Sequence, residues 1–209
     1  MPDIQITKHF QSALILAKDD GGRLAVDLGA RPQGSYDLDV LGTLDAVLFT
    51  HRHPDHVDTA VVDALLDRDV PIYGNADVCQ ALGERPITQL EEGKPHLIEG
   101  WQVACHDIPH VVMVDGSAGP PNTGLVFDGR LLHPGDGLQI KGLQVDVLAL
   151  PIAGPSISFR DAYQMVQRIG PTTVLPIHYD FFVAQPQMFA DRCDIADVVV
   201  LDHGETATF

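Results

Sequence analysis

The chain has 209 residues, 45% of them hydrophobic, with 13 Lys and Arg against 29 Asp and Glu for a net charge of −16. The apolar share supports a packed core and argues against a disordered chain. The acidity argues against a nucleic-acid or anionic-membrane surface, because phosphate groups demand cations opposite them.

Cys79, Cys105 and Cys193 are scattered and odd in number, which argues against a disulfide framework and for a reducing, cytoplasmic setting. The N-terminus has no basic region followed by an apolar core, so no signal peptide is expected. No apolar run approaches the roughly 20 residues of a membrane span.

In chain order, residues 12–17 and 23–27 are apolar runs around the turn Asp19-Asp20-Gly21-Gly22, a hairpin pattern. Residues 45–50 form a more fully buried strand. Residues 57–68 carry apolar side chains at helical spacing, at Val57, Val61, Ala64 and Leu65. A short strand over 70–73 follows, and Asn75 can cap a helix running to about Leu82. Residues 101–108 alternate as a strand that stops at Pro109-His110. After a Gly/Pro-rich loop over 115–123, runs 124–127 and 130–133 flank Asp128-Gly129, a hairpin with a two-residue turn. Residues 145–150 form a buried strand and 159–169 an amphipathic helix ended by Gly170-Pro171. Strands over 173–176 and 198–201 close the series. No linker divides the chain, so 1–209 is expected to be a single domain, with two mixed sheets and helices on their outer faces.

The segment Thr50-His51-Arg52-His53-Pro54-Asp55-His56 places three imidazoles and a carboxylate within six residues, straight after a strand. Imidazole nitrogen and carboxylate oxygen are ligands of zinc and similar divalent metals. His51 and His53, two apart at a strand end, can face one ion, while Asp55 and His56 reach a second beside it. Two ions about 3.5–4 Å apart form the usual clamp for metal-assisted hydrolysis. A merely polar loop would have no reason to gather three of the chain's 10 histidines.

Three later residues also end apolar strands: His110, Asp136 within His133-Pro134-Gly135-Asp136-Gly137, and His178. Each alone reads as a turn or core residue. Together they complete the ligand set that two ions need, and Asp136 has two oxygens with which to bridge them.

The ordered series His51-x-His53-x-Asp55-His56, His110, Asp136, His178 resembles the metallo-β-lactamase superfamily. Residues Leu150-Pro151-Ile152-Ala153-Gly154, the helix with Asp161-Ala162, and Pro176-Ile177-His178-Tyr179 resemble its compact metal-dependent hydrolase branch. That branch includes L-ascorbate-6-phosphate lactonase-like and N-acylphosphatidylethanolamine phospholipase-like proteins. The resemblance implies an α/β (α+β) fold, a four-layer αββα sandwich with a dinuclear site at its edge. His51, His53 and His110 would hold one metal, Asp55, His56 and His178 the other, with Asp136 between them. Zinc is the default for both ions, with manganese or iron as alternatives.

Asp27 ends the second strand and matches an acidic position of the branch, where it is expected to orient a ligating imidazole. His133 also matches a branch position, as buried support, and Tyr179 is a candidate hydrogen-bond donor to substrate. His9, His96, His106 and His203 read as surface or structural histidines, and residues 116–122 as a cover over the site or a plain connector. The chain departs from the branch at Phe10-Gln11, where a Gly-His pair is usual, at 155–159, and at Gly137. None of these is an expected ligand, so they bear on the substrate.

The expected chemistry is hydrolysis of a phosphodiester, lactone or amide-type bond in a small molecule by a metal-bound hydroxide, with Asp55 handling the proton. One rival is diiron redox chemistry, whose representatives on this fold carry an acid where His53 stands. Imidazole there favours zinc and hydrolysis. Another rival is a non-catalytic metal-binding protein on the same fold. No nucleic acid or membrane partner is expected, and a homo-oligomer is left open.

Overall fold

The computed structural model describes residues 3–182 and 184–209. The first half supplies β1 (Gln5–Lys8), β2 (Leu14–Ala17), β3 (Leu24–Val26), α1 (Leu38–Leu41), β4 (Ala46–Phe49), α2 (Thr59–Leu66), β5 (Ile72–Gly74), α3 (Ala76–Leu82) and β6 (Ile87–Gln89). The second supplies β7 (Pro95–Ile98), β8 (Trp101–Asp107), β9 (Thr123–Phe127), β10 (Leu131–His133), β11 (Val147–Pro151), α4 (Phe159–Ile169), β12 (Thr173–Ile177), α5 (Pro186–Ala190) and β13 (Asp197–Val198). The final strand, β14 (Thr206–Thr208), returns to pair with β1.

Two seven-stranded sheets result, ordered β14-β1-β2-β3-β4-β5-β6 and β13-β12-β11-β10-β9-β8-β7. In the first, three antiparallel pairings lead to three parallel ones starting at β3–β4. In the second, three antiparallel pairings from β7 lead to three parallel ones starting at β10–β11. The halves thus share one plan.

Alternation along each strand sets the layers. Leu14, Leu16, Ala46 and Leu48 of the first sheet share one cluster with Phe127, Val147, Ala149 and Leu175 of the second. Their neighbours Ile15, Val47 and Phe49 face the other way, onto Val61, Val62 and Leu65 of α2 and Val78 of α3. On the far side, Leu148, Leu150 and Val174 meet Ala162, Met165 and Ile169 of α4. The order is helix, sheet, sheet, helix. The central strands read as unbroken apolar runs because both of their faces are covered.

Local chemistry sets the helix ends. Asn75 accepts the Val78 N–H and starts α3, as the sequence suggests. Ser158 and Asp161 form a reciprocal capping box on α4, which ends at Gly170 in the left-handed region. The expected helix over 57–68 is shorter. Asp58 accepts the Ala60 N–H, so α2 starts at Thr59 and excludes Val57.

The hairpin at 128–129 also differs from expectation. Arg130 N–H donates to Phe127 O and closes the Asp128-Gly129 turn, yet the ladder pairs Phe127 with Leu131. Arg130 is an extra residue, a bulge. Strand pairing near the end covers Asp197–Val198, whereas Leu201 packs into the core outside the ladder.

Candidate metal centre

The centre lies where strands of both sheets end. The central strand β4 runs between β3 and β5 and delivers Thr50 and the histidine loop at its C-terminal end. Asp27, straight after β3 and fully buried, accepts the Thr50 N–H at 2.8 Å, the Thr50 hydroxyl at 2.7 Å and His56 Nδ1–H at 2.7 Å. It thereby ties the strand end to the loop. Gly29 packs against the Asp55 backbone so closely that any Cβ would overlap the Asp55 carbonyl.

The imidazoles are locked from behind. With its hydroxyl proton given to Asp27, Thr50 Oγ1 accepts His51 Nδ1–H at 3.1 Å. His110 Nδ1–H donates to Val111 O at 2.7 Å, and His178 Nδ1–H to Ala153 O at 2.6 Å. With His56 on Asp27, four rings hold a proton at Nδ1 and aim Nε2 inward.

Those atoms converge in two groups. His51, His53, His110 and Asp136 present ligand atoms all within 4.8 Å of one another, and so do Asp55, His56 and His178. In the first group His53 Nδ1 sits 3.1 Å from His51 Nε2 and 3.2 Å from His110 Nε2. Asp136 touches both groups: Oδ1 is 3.2 Å from His56 Nε2, and Oδ2 is 3.2 Å from His178 Nε2 and 3.5 Å from His110 Nε2. His178 Nε2 is also 3.2 Å from Asp55 Oδ2.

These spacings fit divalent ions. Bonds of about 2.0–2.1 Å to a tetrahedral zinc set its ligands about 3.3–3.4 Å apart. His56 Nε2 and Asp136 Oδ1 are both buried without a hydrogen-bond partner, although only 3.2 Å separates them. Two polar atoms that close, aimed past each other, are what a shared cation would satisfy.

The electrostatics divide the same way. Burial, with His56 beside it, holds His51 well below the usual imidazole range, and burial with His110 lowers His53. Both are therefore neutral, as ligands must be. Burial acts to lower His56, but Asp136 and Asp27 outweigh it and raise it. In the same way Asp136 raises His178 to about 10 against the effect of burial. Burial works to raise Asp136 and Asp55, yet His178 and His56 more than reverse this and keep both ionised. The second group therefore holds protons that a cation would displace.

All seven sequence-predicted ligand residues meet here. His133 braces the centre from behind: its Nε2–H donates to Ser12 O at 2.8 Å while Nδ1 accepts the Gly135 N–H. Tyr179, a candidate substrate contact by sequence, instead lies buried beneath the Lys8 ammonium and outside the lining of the cleft, where Phe182 is found. Residues 115–122 do approach the site, since Gly119 lies directly against the His110 ring.

Sequence reasoning missed two supports. Asn122 donates to Ile108 O and Pro134 O and accepts the Asp136 N–H, so it fixes the loop that carries Asp136. Gln11, at the Phe10-Gln11 departure, donates to Asp55 Oδ2 at 3.2 Å, accepts the Phe181 N–H, and gives its carbonyl to His178 N–H. The departure itself was the available signal. Gln11, Asp27 and His178 have φ of 56, 53 and 59°, a costly region for residues with a Cβ.

Residues 5–178 match the family described as Beta-lactamase superfamily domain. The chain belongs to the metallo-β-lactamase superfamily. As a member, it is 31% identical over 185 residues to Protein Rv0786c of Mycobacterium tuberculosis, covering 84% of each. It is 24% identical over 230 residues to an Enterococcus faecalis UPF0173 metal-dependent hydrolase, covering 97% of this chain and 99% of that relative. Igni18, a metallo hydrolase from the archaeon Ignicoccus hospitalis, superposes with a TM-score of 0.80 at 24% identity over 99% of this chain and 98% of that one. That likeness confirms the superfamily's two-sheet sandwich.

Proposed function

We propose that this chain is a metal-dependent hydrolase with a dinuclear centre that cleaves a phosphodiester, lactone or amide-type bond of a small molecule. One observation carries the reading: His53, Asp55, His110, Asp136 and His178 all line an open cleft of about 550 Å³, with His51 and His56 buried behind them. A structural zinc site is closed and four-coordinate, whereas a catalytic one keeps an open position. The Enterococcus faecalis relative's description as a metal-dependent hydrolase supports the same reading.

His51, His53 and His110 would hold one ion and Asp55, His56 and His178 a second, with Asp136 offering an oxygen to each. The imidazole-rich set suits zinc. Bound divalent ions lower the pKa of water and polarise the oxygen of the bond under attack. The Asp55 carboxylate, kept ionised by His178 and held at Oδ2 by Gln11, takes the proton from water and returns it to the leaving group. Asp27, through His56, and Thr50, through His51, keep those rings turned inward. All three cysteines are free, in keeping with a cytoplasmic enzyme, and among the described residues no helix is long and apolar enough to cross a membrane.

The test is elemental analysis of the purified protein, followed by assays of bis-p-nitrophenyl phosphate, a lactone and an amide with and without chelator. The expected result is about two metals per chain and chelator-sensitive turnover that His53→Ala and Asp136→Ala abolish. Fewer than one metal per chain, or turnover indifferent to both variants, overturns the reading. Two tightly held zinc ions without turnover of any substrate class favour the non-catalytic rival. Iron with oxygen consumption favours the redox rival.

A further inference from the structure

The cleft above the metal centre is lined mainly by apolar side chains, with Asp115, Ser117 and Ser156 as the polar residues beyond the candidate ligands. Residues 111–114 line it as Val-Val-Met-Val, and Ile157 and Phe182 line it as well. Phe182 stacks on the His178 ring at 5.6 Å between centroids, so the apolar lining reaches the ligands without a break. Among the described lining residues none is Lys or Arg, and the one charged side chain beyond the candidate ligands is Asp115, a carboxylate. Among the described residues, three of the eight exposed large hydrophobic ones, Val112, Val114 and Phe182, belong to this cleft. Large apolar side chains left in water beside a site mark the surface that a ligand covers.

A phosphate or carboxylate group away from the reacting centre needs an Arg, a Lys or a cluster of donors to replace its water. Here it would meet valine, methionine, phenylalanine, Asp115 and two serines, of which Ser117 already donates its hydroxyl to Asp115 at 2.6 Å, on a protein of net charge −16. An alkyl or aryl group would lose water against those same side chains and bind.

We infer that the cleft selects an uncharged acyl compound, an ester, lactone or amide that carries an apolar chain or ring, and rejects substrates with an anionic group away from the reacting centre. The inference rests on the hydrolase reading and narrows it. In the reaction the oxygen of water bonds to the carbonyl carbon, the C–O or C–N bond breaks, and the leaving alcohol or amine takes up a proton. The apolar chain or ring lies against residues 111–114, Ile157 and Phe182.

The test uses the full chain loaded with zinc. Alkyl hydroxamic acids of increasing length share one metal-seeking head and differ only in what meets the walls. Calorimetric titration should show affinity rising about two- to fourfold per added methylene. A carboxylate at the far end of the tail should cost at least about tenfold. Met113→Lys should recover at least about fivefold of that loss and weaken the neutral series. Matched p-nitrophenyl esters, neutral and carboxylate-ended, should follow the same order in kcat/KM, and bis-p-nitrophenyl phosphate should be the poorer substrate. Affinity flat with tail length, indifference to the terminal carboxylate, or preference for the phosphodiester overturns the inference. Hydroxamate binding that follows the expected order with no turnover of any ester leaves the cleft's selectivity standing and removes the hydrolase reading instead.

Discussion

Asp27→Asn changes one oxygen for an amide group in the most constrained spot of the centre. Asp27 Oδ1 takes the Thr50 N–H, while Oδ2 takes both the Thr50 hydroxyl and His56 Nδ1–H, at 2.7–2.8 Å, with no exposed surface. Asparagine offers one acceptor oxygen. If that oxygen stays on Thr50 N–H, the new NH₂ faces His56 Nδ1 and must donate to it, which moves the imidazole proton to Nε2. Nε2 is the atom aimed at Asp136, so its lone pair is lost to any cation. Changing such a supporting partner costs about 10–100-fold in metal affinity, equal to about 1.4–2.8 kcal/mol. The metal-free fold should lose about 2 kcal/mol from the weakened buried bonds, or about 4–8 °C in Tm at this size. The first group meets Asp27 only through Thr50 and His51, one bond further from the change, so it should hold its ion more tightly than the second. Elemental analysis after dialysis against a metal buffer should fall from about two ions to about one per chain, with calorimetry showing the weaker site lost. Retention of both ions at wild-type affinity would refute the tautomer argument.

Three further outcomes can be checked. Gln11→Leu removes a donor from Asp55 Oδ2 but no candidate ligand, so kcat should fall on the order of tenfold with metal content unchanged; loss of metal would mean Gln11 matters for binding instead. Gly29→Ala drives a methyl into the Asp55 backbone and should cost about 3 kcal/mol or more, seen as a fall in Tm of at least about 6 °C; an unchanged melt would show that this approach is not tight. Burial, helped by His203 and Lys8, pulls His9 from its ordinary 6.5 down to about 4. The folded chain therefore binds fewer protons than the unfolded one in that interval, so this cost is absent above pH 6.5, grows as pH falls and levels off below about 4. His9→Phe should flatten that slope in urea midpoints measured from about pH 7 to about pH 4.5, and an identical slope would rule His9 out as its source.

The sequence made the central strands and the ligand series legible because both follow from local rules. β4, β11 and β12 are buried on two faces and so are continuous apolar runs, and the histidine loop and His178 sit where β4 and β12 stop, while His110 follows the alternating strand β8. The edges were not legible. β6, β7 and β14 are three or four residues long and largely exposed, with burial patterns iee, eieB and eie, so no alternation marks them. The helices α1 and α5 are a single turn each, too short for a period. Pairing between β1 and β14 joins residues about 200 positions apart, which no local pattern encodes. Gln11 and Asn122 act through side-chain bonds to backbone that exist only once distant loops meet, whereas His51 to His56 declared themselves by crowding.

The shared plan of the two halves has a consequence for how the molecule holds together. Four of the seven ligands follow β4 in the first sheet, and the other three follow β8, β10 and β12 in the second. Neither candidate group is complete without side chains from both sheets. Ions seated there would act as rivets across the seam of the sandwich, and separating the sheets would mean giving them up. The two halves, expressed as separate fragments, would then find each other most readily when metal is present, so that the reacting centre also serves as the clasp of the fold.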